Sequence, residues 1–278
     1  MTIASWRPTH PYEALARPGV FGPASSSRFG AMRASAGEVL PYLPVTGAML
    51  DLGCGPGHLT SWYARESPGA TITGCDRESA FIAMATSPAT RLGIENVTYV
   101  TADVTKGMPA GPFELIVSTQ SVADADAESV VAQYGGDDSP QHDPSGSDDG
   151  PRVRTLRMIA GALGKCGTYL AIEPLPAADD MQRFVSEATG AGLILSFLGF
   201  TPFDVFGQPH AYPVAVFRRR DDVEEECIGA GTTLPVVDVD RAYLQAVIDH
   251  LPHLRRDHAT GDVGQVVVAH RKSTSMPD

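Results

Sequence analysis

The nine residues Met49-Leu50-Asp51-Leu52-Gly53-Cys54-Gly55-Pro56-Gly57 constrain this chain more than any other stretch. Met49, Leu50 and Leu52 make an apolar strand, and three glycines two residues apart follow where such a strand would turn into a helix. Glycine accepts positive φ and carries no Cβ, so a turn of this kind lets a ligand approach the backbone closely. Asp51 indicates the charge of that ligand. A carboxylate beside the turn suits an amino group or a sulfonium and suits a dinucleotide pyrophosphate poorly, which argues against NAD.

Two further acids sit at comparable places. A helix is predicted from His58 to about Ser67, and Ala70–Asp76 then reads as a second strand ending in an acid. Asp76 follows Gly57 by 19 residues, the position from which a carboxylate in a doubly wound sheet meets a ribose. That spacing alone serves NAD enzymes equally well. The run from Val97 to Asp103 is a third strand closed by an acid, and His58 stands where the dinucleotide fingerprint calls for a small residue.

With these acids in place, Asp51-Leu52-Gly53-Cys54-Gly55-Pro56-Gly57 resembles motif I of the class I S-adenosylmethionine-dependent methyltransferases. The resemblance implies an α/β fold, a doubly wound seven-stranded sheet that is mostly parallel with an antiparallel last strand. It implies S-adenosylmethionine as cofactor. Asp51, Gly53, Cys54, Gly55 and Gly57 would form the turn around it, and Asp76 and Arg77 would stand at the ribose. Asp103 would accept from the adenine amino group with Val104 beside the ring, and Ser118 and Thr119 would close the site from the fourth strand.

That fourth strand is Phe113–Ser118. The residues after it, Thr119-Gln120-Ser121-Val122, are not the Asn/Asp-Pro-Pro-aromatic tetrad of enzymes that methylate adenine or glutamine amides, and no Pro-Cys pair is present for attack on a pyrimidine. A helix is predicted over Arg154–Leu163, and Gly167–Pro174 reads as the fifth strand, ending in Glu173 before a helix-breaking proline. A helix over Asp179–Thr189 has acids at its favourable end. The stretches Leu193–Phe206 and Ala211–Arg219 then resemble the antiparallel pair that completes the fold. Candidate general bases are Glu173, His210 and His142.

The chain of 278 residues is 43% hydrophobic, enough for a full core with additions. Residues 1–46 are expected to form an N-terminal extension with Trp6, Tyr12, Phe21 and Phe29 and a helix from about Arg28 to Leu43. Residues 47–220 are the expected methyltransferase core. Within it, 119–151 is an acidic insertion, with eight acids and no Lys or Arg between Asp124 and Asp149. It reads as a disordered surface loop or as a lid. Residues 221–278 form a C-terminal α/β extension, in which an acidic, glycine-containing hinge precedes a helix over Val239–His250 and a strand over Val263–Ala269. This extension would either lengthen the sheet edge or make a homodimer contact.

No apolar run approaches the roughly 20 residues that cross a bilayer, and the N-terminus lacks the features of a signal peptide. A cytoplasmic protein without membrane contact is therefore expected. Four cysteines form no CxxC pair, so no metal site and no disulfide framework is expected. The formal net charge of −12 disfavours nucleic acid, and Arg218-Arg219-Arg220 and Arg255-Arg256 read as solvated surface. These features point to methyl transfer to a small-molecule acceptor, a biosynthetic metabolite, by in-line displacement. A cyclisation or decarboxylation that uses the same cofactor site, and a peptide or protein methyltransferase, stay open as alternatives.

Overall fold

The three acid-terminated runs become neighbouring parallel strands. In the computed structural model, which describes residues 29–123, 150–175, 177–205 and 208–230, β1 (Gly47–Leu52) lies between β2 (Ala70–Asp76) and β4 (Phe113–Thr119). β3 (Val97–Thr101) forms the edge beyond β2, and β5 (Leu163–Ile172) continues the parallel set beyond β4. β7 (Gln208–Arg219) runs antiparallel between β5 and the outermost β6 (Leu193–Val205). The order is β3-β2-β1-β4-β5-β7-β6. This is the predicted seven-stranded, mostly parallel α/β sheet. The order reverses between β1 and β4, and the crevice at such a switch point, outside the carboxyl ends of the strands, is where open α/β sheets bind ligands.

Both faces of the sheet are covered, and for that reason the central strands read as nearly unbroken apolar runs. Successive side chains alternate between faces. Met49, Leu115, Val117 and Leu170 pack with Val39 of α1 (Phe29–Val39) and with Tyr63 and Ala64 of α2 (His58–Glu66). Leu50, Leu52, Ile116 and Tyr169 face the other way, against Leu156 and Ile159 of α4 (Pro151–Ala162) and Met181 and Phe184 of α5 (Ala178–Gly190). In α5 the buried Met181, Phe184, Val185 and Ala188 recur at helical spacing, and Asp179 and Asp180 lie in the first turn, where the helix dipole favours them.

Several boundaries differ from the sequence expectations. α4 begins at Pro151, three residues earlier than Arg154, because proline at the first helical position gives up an N–H that has no intrahelical acceptor. β5 starts at Leu163 instead of Gly167. Between β2 and β3 lies α3 (Ser79–Arg91), which contains Pro88 and was not expected from the sequence. The expected hinge after residue 220 is corrected to a helix, α6 (Arg220–Ala230). Its acids pair with β5 and β7: Glu226 with Arg218, Asp221 and Asp222 with Arg219, and Glu225 with Lys165, while Glu224 pairs within the helix with Arg220. The expected helix over 239–250, the strand over 263–269, Arg255 and Arg256, the aromatics Trp6, Tyr12 and Phe21, and residues 124–149 lie outside the described residues.

Among the described residues no helix is long and apolar enough to cross a membrane, and no group of His, Cys, Asp and Glu is arranged to hold a metal ion. Cys54, Cys75 and Cys166 are free thiols.

Candidate cofactor site

Strand register sets the site. Leu52 stands opposite Cys75 in β2 and Ser118 in β4, so the chain leaves these three strands at one level. A cavity of about 210 Å³ opens there. Its wall comprises Asp51, the 53–56 turn, His58 and Leu59 at the start of α2, Asp76 to Glu78, Phe81, Ala102 to Thr105, Thr119 to Ser121, and Met32 from α1.

The glycine turn has two unlike positions. Gly53 has φ +66, and a Cβ there would lie 2.4 Å from the Cβ of Ser121 in the segment after β4. Gly55 has φ +52, and a Cβ there would meet nothing within 4 Å. Gly55 thus leaves open space beside the cavity, where a bound group can reach the backbone. Gly57 is not in the wall. It sits behind the turn, where a Cβ would come within 2.6 Å of Ala85 and 2.7 Å of the Tyr99 ring. The structure places Gly57 in helix and strand packing, apart from the wall that Gly53 and Gly55 share.

The acids of the wall are held in different ways. Asp76 accepts from the Gly55 N–H and the Glu78 N–H, each at 2.9 Å, and so braces the glycine turn from the end of β2. Burial raises its pKa, and these donors and Arg77 oppose the shift. Asp51 is only 3% exposed and accepts from the Thr60 hydroxyl at 2.6 Å. Burial, with a further push from the charge of Asp76, raises its pKa to about 7 against the Thr60 hydrogen bond. No cationic side chain among the described residues pairs with it. Asp103 accepts from the N–H and hydroxyl of Thr105 and pairs with Lys106 at 2.8 Å. Its pKa is lowered because these partners outweigh its partial burial.

Cys54 lines the cavity as a neutral thiol whose pKa is raised by burial and by the nearby Asp51 and Asp76. Arg77 lies in the wall beside Glu78, and Val104 and Phe81 give the far end an apolar surface. His58 also lines the cavity, and partial burial lowers its pKa.

At the strand ends on the β4 and β5 side, Thr119 belongs to the wall while Ser118 and Glu173 stand behind it. Ser118 is fully buried and outside the wall; its hydroxyl joins the Tyr169 hydroxyl and the Glu173 carboxylate. Thr119 is in the wall, and its hydroxyl oxygen is buried without a hydrogen-bond partner among the described residues. Glu173 is 1% exposed and its carboxylate accepts from the Ser118 hydroxyl and from the N–H groups of Ser121, Val122 and Ala123. Glu173 lies outside the wall of this cavity, so the structure does not bring it together with the other expected site residues there. His210 pairs through its backbone with Phe203 in the β6–β7 hairpin, and its side chain lies outside what is described. His142 lies outside the described residues altogether.

The sequence reading did not single out Met32, Leu59, Glu78, Phe81, Ala102, Thr105, Gln120 or Ser121 as site residues. A signal existed for Gln120 and Ser121, which follow directly on Thr119. Met32 and Phe81 come from helices whose facing depends on tertiary packing.

Comparison with known proteins agrees with this geometry. A family described as "Methyltransferase domain" matches residues 49–134. The trans-aconitate 2-methyltransferase of Streptomyces avermitilis is 38% identical over 85 residues, 30% of this chain and 32% of that protein. The trans-aconitate 2-methyltransferase of Delftia acidovorans is 37% identical over 93 residues, 32% of this chain and 33% of that protein. The matched region thus spans about a third of the length of these curated relatives. Two solved structures share the fold at low identity. The mitomycin 7-O-methyltransferase MmcR is similar with TM-score 0.52 and 17% identity over 76% of this chain and 61% of that one. The [4+2]-cyclase SpnF is similar with TM-score 0.51 and 16% identity over 68% of this chain and 81% of that one. Residues 49–134 thus match a methyltransferase domain, and they contain β1 to β4 with the acids at the ends of β1 and β2 that line the cavity.

Proposed function

We propose that this chain binds S-adenosylmethionine in the cavity at the ends of β1 to β4 and transfers its methyl group to a small-molecule acceptor. The observation that carries the reading is Asp51, a buried carboxylate at the cavity without a cationic partner among the described residues, next to the open space at Gly55. A charge so placed is costly to the empty protein and is relieved by a cation.

When bound, the cofactor supplies an electrophilic methyl group on a positively charged sulfur. The residues of this chain fit such a group. Ionised Asp51 would balance its positive charge. Asp76 keeps lone pairs beyond those taken by Gly55 and Glu78 and would receive the ribose hydroxyls. Asp103 would receive the adenine amino group by the same reasoning, with Val104 and Phe81 against the ring. Arg77, Cys54 and Thr119 would complete the wall. Holding an acceptor in line with the reacting methyl would supply much of the rate enhancement. An acceptor hydroxyl would also need a proton acceptor. His58 is the candidate that the described wall offers, because its lowered pKa keeps it neutral at neutral pH, and His210 and His142 remain candidates from the sequence.

A small acceptor is supported by charge. The formal net charge is −12, and Arg218, Arg219 and Arg220 are paired with acids of α6. Neither property favours a polyanion such as nucleic acid. The curated relatives named above are named for a small acceptor, trans-aconitate. Incubation with S-adenosylmethionine and metabolite extracts, followed by mass analysis, tests the reading. Release of S-adenosylhomocysteine and a proton, with a product in which one acceptor hydrogen is replaced by a methyl group, is expected. Cofactor binding without that release would move the assignment to a non-methylating reaction, and no cofactor binding would refute it.

A further inference from the structure

Resting on the cofactor assignment above, we propose that Glu173 is a positioning residue for the reactive end of the cavity. It holds the turn after β4 so that Thr119 and Gln120 form the wall facing the amino-acid portion of the cofactor.

The geometry is unusually complete. Glu173 follows the last residue of β5, and its two carboxylate oxygens divide four donors between them. Oε1 accepts from the Ser118 hydroxyl at 2.6 Å and the Val122 N–H at 3.2 Å. Oε2 accepts from the Ser121 N–H at 3.0 Å and the Ala123 N–H at 3.2 Å. Three successive backbone N–H groups converging on one buried acid fix the direction of the chain, since all three must point to the same carboxylate. The turn is pinned at two further points. The Gln120 N–H donates to the Ile172 carbonyl at 2.9 Å, and the Ser121 hydroxyl donates to the Leu52 carbonyl at 2.9 Å.

Between those pins Gln120 is held at φ +57, a conformation that side-chain-bearing residues rarely adopt. Such a residue persists when its surroundings over-determine it, and it is characteristic of functional sites. Gln120 lines the cavity, as does Thr119, whose buried hydroxyl oxygen has no partner among the described residues. Ser121 meanwhile packs against the place where Gly53 lacks a Cβ. Register puts this turn beside Asp51 and Gly53, away from the Asp76 and Asp103 end of the cavity. Glu173 therefore acts at a distance, through the turn, on the part of the site nearest Asp51.

Two ligands separate the ends of the cavity. S-adenosylhomocysteine and methylthioadenosine share the adenosyl half and differ in the amino-acid portion. Calorimetric titration of the full chain with each is expected to show both binding to the unmodified protein. Glu173→Gln, which places an NH₂ donor against the turn's own donors, should weaken S-adenosylhomocysteine roughly tenfold while leaving methylthioadenosine within about twofold, the scale of one hydrogen bond. Gln120→Gly should reproduce that split without lowering the melting temperature, because glycine adopts positive φ freely. It decides the matter if Glu173→Gln fails to fold. Unchanged binding of both ligands by Gln120→Gly, or equal loss of both, would overturn the proposal. An unmodified protein that binds neither ligand would overturn the cofactor assignment and the proposal together.

Discussion

Asp51 and Glu173 are both buried carboxylates at the carboxyl edge of one sheet, yet their surroundings are opposite. Glu173, beyond β5, receives four donors. Asp51, in β1, receives one, from Thr60, and feels a second acid, Asp76, which with burial raises its pKa to about 7. An acid whose lone pairs are filled by the chain holds the chain together, and an acid left underfilled at a cavity is set to meet a ligand. The glycines divide in the same manner: Gly53 abuts Ser121, and Gly55 faces open space. The contrast locates binding on the β1 side and scaffolding on the β5 side.

Asp51→Asn should break the contrast most strongly. Removing the charge that faces the cation should weaken S-adenosylmethionine on the order of ten- to a hundredfold, read by calorimetry. The effect on stability has the opposite sign. The folded pKa of about 7 lies above the ordinary value of 3.8, so between those values the native chain retains a proton that the unfolded chain has released. Stability from this group is present at low pH and lost as pH rises through about 7. The neutral variant should therefore melt higher than the parent at pH 8 without ligand. A lower melting point would contradict the assigned burial cost.

The glycines sharpen the contrast at smaller scale. Gly53→Ala must displace Ser121 as well as accept a left-handed backbone, and overpacking of this kind costs roughly 1–3 kcal/mol beyond the backbone term. Gly55→Ala meets no atom and should cost only the backbone term, about 1–2 kcal/mol. Denaturant titration should rank them in that order, and loss of cofactor affinity should be evident for Gly55→Ala at temperatures where it is folded. The smallest effect on cofactor affinity belongs to the scaffold. Ser118→Ala removes one donor to Glu173 and should lower stability by about 1–3 kcal/mol, with a smaller loss of S-adenosylhomocysteine affinity than Glu173→Gln because the three backbone N–H donors stay in place.

The parts legible in the sequence were those whose signal is local. β2 was bounded at Ala70 and Asp76 because its apolar run ends in an acid, and motif I declared both its turn and Asp51. α3 is not legible because Pro88 interrupts the pattern and its buried face holds one large residue, Phe81, with the small Ala85 and Ala89. α6 reads as a hinge because its acids look solvated until β5 brings Lys165 beside Glu225 and the Cys166 N–H beside Asp222. Glu173 was visible as a strand-terminal acid, but its work depends on donors 50 to 55 residues away. Gln120 could not be recognised from type alone, since its backbone conformation is imposed by tertiary bonds. Local chemistry named the cofactor end, and long-range register built the wall opposite it.

The most direct measurement is the number of protons released when S-adenosylmethionine binds, obtained by calorimetry at pH 6 and pH 8 in buffers of different ionisation enthalpy. With Asp51 near pKa 7 in the empty protein and ionised beside the bound cation, close to one proton should be released at about pH 6 and about a tenth of one at about pH 8. Asp51→Asn should abolish the release. Binding with no proton release at pH 6, or release that persists in Asp51→Asn, would contradict the role given to this carboxylate.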